Sequence, residues 1–166
     1  NIIDELLLLS SVRQQDVAIS PLNMGDILFT AQDRLTEMIA EYHAEIQVVT
    51  PWATALGYAP WVEEIWVNYL SNGMKYGGNP PKLEVGSETL TDGRIRFWIK
   101  DNGPGITPED QARLFTEFVR IGKMQVQGHG LGLSIVQRIS QKLSGEAGVS
   151  STFGEGSEFY FILPTQ

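Results

Sequence analysis

The sequence contains no cysteine and only two histidines, His43 and His129. The lack of cysteine excludes a disulfide-stapled scaffold, a thiol nucleophile, and zinc or iron–sulfur sites built on cysteine. The two histidines are too few and too far apart in sequence to suggest a metal cage. Basic residues are also scarce, since 12 Lys and Arg face 20 Asp and Glu and give a formal net charge of −8. We therefore expect no nucleic-acid partner, and a phosphate ligand would need backbone N–H groups, a metal ion or a few placed cations.

Long hydrophobic runs are missing as well. Runs such as residues 6–9 are far shorter than the ~20 apolar residues that a membrane span needs, and no signal peptide is recognisable. The sequence opens with Asn1 rather than Met, in a segment of helical character, which we interpret as the start of a fragment of a longer protein. We expect a cytoplasmic location for this chain, which is compatible with a membrane anchor elsewhere in the parent.

Patterns of apolar residues predict a mixture of helices and strands. Helices are expected over residues 1–13, 23–43, 60–76, 108–115 and 131–143, and strands over residues 17–20, 45–49, 54–56, 82–90, 94–100, 146–151 and 158–163. Strands joined by short turns, with helices interspersed, indicate an α+β fold. We predict a two-layer α/β sandwich with a mixed, mostly antiparallel sheet.

The third predicted helix carries a polar face beside its core stripe. Glu64, Asn68 and Asn72 recur at four-residue spacing and therefore stack along one side, with Lys75 and Tyr76 one turn further. Carboxamide oxygens suit a hard cation such as Mg²⁺, and the lysine supplies a charge for a phosphate. A plain solvated helix face is the alternative, although asparagine disfavours helix interiors.

Three glycine-rich segments follow, and each has an ordinary structural alternative. Residues 101–105, Asp-Asn-Gly-Pro-Gly, come directly after a strand, where a carboxylate can accept a hydrogen bond from an exocyclic amine; a plain turn is the alternative. Residues 128–132, Gly-His-Gly-Leu-Gly, precede a helix whose free N–H groups form an anion site, although His129 alone is typical of a loop histidine. Residues 154–157, Gly-Glu-Gly-Ser, fit a simple hairpin turn.

Taken in order, these segments resemble the catalytic ATP-binding domain of sensor histidine kinases. The matching motifs are its N box at residues 68–76, first glycine box at 101–106, F box at 114–118, second glycine box at 128–133 and third glycine box at 154–157. The resemblance covers about residues 20–164. It implies the GHKL (Bergerat) ATP-binding fold, with a mixed sheet packed on three helices, and it implies ATP and Mg²⁺ as ligands.

The resemblance also implies roles for individual residues. Asp101 matches the residue that hydrogen-bonds the adenine amino group. Asn72 matches the asparagine that ligates Mg²⁺, and Asn68 is the other polar member of the N box and a second metal-ligand candidate. The remaining nucleotide contacts implied are Lys75, Tyr76, Gly103, Gly105, Ile106, Gly128, His129, Gly130, Leu131 and Gly132.

The resemblance implies that part of the catalytic unit lies outside this sequence. Residues 106–128 match the family's ATP lid, in which Arg120 takes the place of an arginine near the γ-phosphate. Residues 1–16 resemble the end of the dimeric helical domain that carries the phosphorylated histidine, and residues 17–166 resemble the catalytic domain. The acceptor motif is absent, because the context of His43 does not match it. The partners implied are ATP and ADP, the chain's own dimerisation and histidine-phosphotransfer domain, a response regulator, and a second copy of the parent in a homodimer.

One departure from the wider superfamily bears on mechanism. Its hydrolytic ATPases carry Glu at the position of Asn68, and a carboxamide cannot take a proton from water, so we expect transfer to an imidazole rather than hydrolysis. Glu64 is the remaining candidate base, with Lys75 and Arg120 as candidate catalytic cations. We therefore predict a protein-histidine kinase domain. The alternatives are a hydrolytic ATPase, which steady ATP turnover would favour, and a non-catalytic nucleotide-binding regulatory module, which binding without transfer would favour.

Overall fold

The computed structural model describes residues 2–14, 16–112, 114, 132–152 and 154–166. The helices of this part are α1 (Ile2–Gln14), α2 (Met24–Arg34), α3 (Thr36–Tyr42), α4 (Ala59–Tyr76), α5 (Pro108–Gln111) and α6 (Gly132–Lys142). The strands are β1 (Ser20–Pro21), β2 (Glu45–Val48), β3 (Leu56–Gly57), β4 (Lys82–Thr89), β5 (Ile95–Lys100), β6 (Glu146–Ser151) and β7 (Ser157–Leu163). No helix in these described ranges is both long and apolar enough to cross a membrane.

Five strands form the main sheet, in the order β2-β4-β5-β7-β6. Only β2 and β4 run parallel, with Glu45 opposite Lys82, and the other neighbours are antiparallel. The short strands β1 and β3 pair separately, with Ser20 opposite Gly57. The prediction of an α+β sandwich with a mixed, mostly antiparallel sheet is therefore confirmed.

The helices α4 and α6 pack on the sheet, with α2 beside α4. The core stripe predicted for α4 is buried, and Trp66 is completely buried. Its ring lies edge-on to Phe161, with the ring centroids 5.2 Å apart, and Phe161 stacks on Phe97 at 5.1 Å. The Tyr69 hydroxyl donates to the Tyr160 carbonyl at 2.8 Å, and burial raises the pKa of Tyr69 well above its usual value. These contacts fix the rotation of α4 about its own axis. Its polar face therefore lies at the edge of the core.

The helix predicted over residues 23–43 is in fact two helices. Asn23 begins α2, because its side chain accepts a hydrogen bond from the Asp26 N–H at 3.2 Å. The chain leaves helical geometry at Leu35, where φ is −106° and ψ is 15°, and the Thr36 hydroxyl bonds the Asp33 carbonyl at 2.7 Å. Side-chain bonding of this kind competes with the helical backbone pattern, which the apolar spacing alone did not reveal.

The first helix, α1, packs on α6 and contributes to the core. Leu9 and Val12 are 4% and 1% exposed, whereas Ile3 and Leu7 are more than 60% exposed. One side of α1 is therefore part of this domain's core, and the opposite side is apolar and exposed.

Candidate functional site

The polar face of α4 lies beside the start of α6. Asn68 is half-buried, and its Nδ2 donates to the Glu64 carbonyl at 2.8 Å. This bond turns Oδ1 away from its own helix and toward Gly132, where an added Cβ would lie 2.5 Å from that oxygen. The structure thus brings together the N-box asparagine and the last glycine of the second glycine box, two residues 64 positions apart.

Glu64, the predicted base, is held by an ion pair that the sequence did not reveal. Nη1 of Arg34, in the last turn of α2, lies 2.8 Å from Oε1 of Glu64 and 2.8 Å from Oε2 of Glu63. Burial by itself would lower the pKa of Arg34, but the bonds to Glu64 and Glu63 outweigh it and the pKa is raised. The carboxylate of Glu64 therefore has a fixed direction along the edge of α4.

Asn72 and Lys75 continue the polar face toward the end of α4. Both side chains are half-buried, and neither makes a hydrogen bond or ion pair to another residue of the described part of the chain. Tyr76 ends the helix, and its carbonyl packs so closely on Gly103 that any Cβ there would overlap it. The end of α4 therefore adjoins the loop that follows β5.

Asp101 is the first residue of that loop. Its Oδ1 accepts hydrogen bonds from the Gly103 N–H at 2.9 Å and from the Ser157 N–H at 3.2 Å. Burial raises the pKa of Asp101, and these two bonds offset part of the increase. Both bonds end on Oδ1, and no other described residue donates to Oδ2. A half-buried carboxylate oxygen is thus available for an external donor.

The next residue, Asn102, was not predicted as important. Its Oδ1 accepts from the Gly78 and Lys82 N–H groups, each at 2.9 Å, and its Nδ2 donates to the Pro80 carbonyl at 3.1 Å. Asn102 therefore ties the loop after α4 to the Asp101 loop. An asparagine within a turn was the only sequence signal, and its partners lie at least 20 positions away.

The turn between β6 and β7 supports the Asp101 loop from behind. The Gly154 N–H donates to the Pro104 carbonyl, and the Asp101 N–H donates to the Ser157 carbonyl at 2.9 Å. Gly156 has a φ of +92°, and an added Cβ would overlap the Asp101 carbonyl. Residues 154–157 are therefore a hairpin turn, as the plain alternative proposed, and also a support for the Asp101 loop.

Ser151 and Gln111 complete this arrangement around Ile106, and neither was predicted. The Ser151 Oγ accepts from the Ile106 N–H at 2.8 Å, and the Gln111 Nε2 donates to the Ile106 carbonyl at 2.7 Å. Gly105, just before, has a φ of +79°, which favours glycine. Both backbone groups of Ile106 are therefore bonded to side chains.

The remaining predicted site residues lie outside the described residues. They are Arg120, Gly128, His129, Gly130 and Leu131. Most of the segment that resembles the ATP lid lies there as well, so its roles stay predictions.

Comparison with known proteins identifies the family. Residues 57–166 match the model of the histidine kinase-, DNA gyrase B- and HSP90-like ATPases. The chain belongs to this ATPase family. The match contains every polar residue of α4 described above, the Asp101 loop and the β6–β7 turn.

Relatives of this chain include a cyanobacterial phytochrome and an adaptive-response sensory kinase. Cyanobacterial phytochrome A of Nostoc sp. is 32% identical over 98% of this chain, which covers 21% of that protein. The adaptive-response sensory kinase SasA of Synechococcus sp. is 36% identical over 62% of this chain, which covers 28% of that protein. The chain thus spans between about a fifth and just over a quarter of the length of these relatives.

Solved structures show the same fold over nearly the whole ATPase domain. Full-length ShkA in complex with AMPPNP is 28% identical, with a TM-score of 0.82 over 98% of this chain and 35% of that one. The mycobacterial sensor histidine kinase MprB is 25% identical, with a TM-score of 0.78 over 89% of this chain and 99% of that one. The resemblance to catalytic ATP-binding domains of sensor histidine kinases is therefore confirmed.

Proposed function

We propose that this ATPase domain binds ATP with Mg²⁺ and transfers the γ-phosphate to a histidine on a helical domain outside the chain. The observation that carries the proposal is the convergence of three segments that are remote in sequence. Asn68 on α4 lies against Gly132 at the start of α6, and the end of α4 lies against Gly103 of the Asp101 loop. This grouping of the polar face of α4, the Asp101 loop and the start of α6 supports a single nucleotide site.

Adenine is the base that Asp101 suits best. Oδ2 of this half-buried carboxylate accepts a donor, and the C6 amine of adenine is a donor, whereas the C6 oxygen of guanine would meet it with repulsion. The Tyr76 carbonyl approaches Gly103 so closely that a side chain there would overlap it, which lets the Asp101 loop pack directly on the end of α4.

The carboxamide oxygens of Asn72 and Asn68 are suitable ligands for Mg²⁺, provided that phosphates and water supply most of its coordination. Mg²⁺ prefers oxygen ligands and usually retains several waters. Within the described ranges no group of three or more His, Cys, Asp or Glu could hold a metal ion by itself. The side chains that would hold Mg²⁺ are therefore Asn72, with Asn68 beside it, and the metal would neutralise phosphate charge during transfer.

Cationic and backbone groups would hold the phosphates. Lys75 is a half-buried lysine without a carboxylate partner in the described part of the chain, so its charge is available to an anion. Gly128, His129, Gly130, Leu131 and Gly132 would supply backbone N–H groups ahead of α6. Arg120, within the proposed lid at residues 106–128, would add a second cation near the γ-phosphate.

The side chains of Asn68 and Glu64 on α4 favour phosphate transfer to histidine over hydrolysis. The Asn68 amide cannot take a proton from water, which disfavours hydrolysis. Glu64 can take a proton from the attacking imidazole at Oε2, because Oε1 is bonded to Arg34. The parent would be a homodimeric, two-component sensor kinase that passes the phosphate to a response regulator, with this domain in the cytoplasm.

The test uses γ-labelled ATP, this chain, and a separately produced helical domain that carries the parent's histidine. We expect no stable label on this chain alone, and acid-labile, base-stable label on the helical domain, at a rate that rises with its concentration. Fast, steady phosphate release by this chain alone would instead favour a hydrolytic ATPase. ATP binding with neither transfer nor release would favour a regulatory module.

A further inference from the structure

The hydroxyl of Ser151 connects both ends of the Asp101 loop. Ser151 is the half-buried last residue of β6. Its Oγ donates to the Gly156 carbonyl at 2.9 Å, accepts from the Ile106 N–H at 2.8 Å, and lies 2.9 Å from the Ser157 Oγ. A hydroxyl has one proton and two lone pairs, so with Gly156 taking the proton, the Ser157 hydroxyl donates to Ser151. Every hydrogen-bonding capacity of Ser151 is then used.

Gln111 closes this network from the other side. Its Nε2 donates to the Ile106 carbonyl at 2.7 Å and to the Ser151 carbonyl at 3.0 Å. Gln111 and Ser151 together bond both backbone groups of Ile106, which is 9% exposed. The end of the Asp101 loop therefore cannot shift without breaking bonds to β6.

Ser157 connects this hydrogen-bond network to Asp101, at the start of the loop. Its N–H donates to Oδ1 of Asp101, and its carbonyl accepts from the Asp101 N–H. Ser151 thus lies between two residues assigned to the nucleotide: it bonds Ile106 directly and Asp101 through Ser157.

We propose that Ser151, supported by Gln111, is a positioning residue for adenine recognition: it fixes Asp101 and Ile106 in one relative geometry. The proposal rests on the proposed function, because it concerns the same nucleotide site. Without the hydroxyl, Asp101 and Ile106 can move independently, and displacements near 1 Å are enough to weaken a bond that depends on direction. Loss of the hydroxyl should therefore weaken recognition of the adenine amine more than binding of the phosphates.

The experiment compares calorimetric affinities for ATP and for inosine triphosphate, which carries an oxygen in place of the C6 amine. The wild-type chain should prefer ATP strongly. Ser151→Ala should weaken ATP binding about tenfold, as expected for loss of directed hydrogen bonding, and should weaken inosine triphosphate binding much less. The preference for ATP should therefore fall by a similar factor.

Three further variants distinguish a positioning role of Ser151 from a non-specific loss of structure. Ser151→Thr retains Oγ and suits a strand, so it should restore the preference. Gln111→Glu replaces a donor with a carboxylate that faces two carbonyl oxygens, so it should reduce the preference. Ser150→Ala makes the same chemical change at the exposed neighbouring serine and should have no effect.

The outcomes distinguish this inference from the proposed function. If the wild-type chain binds neither triphosphate, both are wrong. If the wild-type chain prefers ATP and Ser151→Ala keeps that preference, or loses affinity for both ligands equally, only the positioning role is wrong. Failure of Ser151→Thr to restore the preference would also contradict it.

Discussion

The two carboxylate oxygens of Asp101 have different surroundings. Oδ1 is bonded to two backbone N–H groups, which fix the side chain, and Oδ2 is the oxygen left for a ligand. Asparagine has only one acceptor oxygen, so it can serve one of these two sides but not both. In either orientation an NH₂ group faces another donor.

We therefore expect Asp101→Asn to weaken ATP binding by about 1–3 kcal/mol, or roughly ten- to a hundredfold. Calorimetry at neutral pH is the measurement, and Asp33→Asn, at an exposed position of α2, is the matched control. Because burial raises the pKa of Asp101, acidification should reduce wild-type affinity at a higher pH than for an ordinary aspartate, as the ionised form is lost. Unchanged affinity in Asp101→Asn would refute the adenine assignment.

The ion pair of Arg34 with Glu63 and Glu64 links the end of α2 to α4. The Arg34 side chain is 41% exposed, so solvent screens the pair and its contribution to stability is small. Its main effect is to give the Glu64 carboxylate a direction. Helix orientation and the direction of a proposed base thus depend on the same contact.

Arg34→Met, which keeps length and removes charge, should lower the free energy of unfolding by no more than about 1 kcal/mol. The difference from wild type should shrink in 1 M salt, which has a Debye length of about 3 Å. Chemical denaturation by urea, with and without salt, is the measurement. A loss above about 3 kcal/mol that salt does not change would show instead that the guanidinium is a buried structural group.

The helices and strands with strong periodicity were predictable from the sequence. The α4 stripe and the alternation of β5 follow from side-chain spacing, and β6 was predicted with its observed bounds. The break at Leu35 was not predictable, because Leu35 continues the apolar pattern and only local bonding of Thr36 ends it. The parallel pairing of β2 with β4 also has no local signal, since it depends on contacts remote in sequence.

The site was predictable to a similar extent. The residues that we propose to face a ligand, such as Asp101 and Asn72, stand within recognisable motifs. The supporting residues do not: Arg34 bonds Glu64 from 30 positions away, and Ser151 bonds Ile106 from 45 positions away. Serines and surface arginines are common, and only the fold shows which of them support a site.

Helix α1 is packed into the domain along one side. Leu9 is buried in the core. Leu6 is 44% exposed and Leu7 is 64% exposed. α1 thus joins the core through α6, whose first residue is Gly132 beside Asn68.

Leu9→Ala should therefore lower the free energy of unfolding by about 2–5 kcal/mol, since it leaves a cavity between α1 and α6. Leu7→Ala is the matched control on the same helix. It should change the free energy of unfolding by less than about 0.5 kcal/mol. Urea denaturation followed by tryptophan fluorescence measures both. Equal, small effects of the two substitutions would mean that α1 is not packed on the domain in solution.

We propose that α4, the Asp101 loop and the start of α6 form one site for Mg²⁺ and ATP. The most direct measurement is the ATP affinity of wild type and Asn72→Ala, each with Mg²⁺ and with a chelator present. If Asn72 ligates a metal bound to the phosphates, the substitution should weaken ATP binding strongly with Mg²⁺ and little without it. Equal losses in both conditions, or no ATP binding by the wild-type chain, would show that these elements do not form a site for Mg²⁺ and ATP.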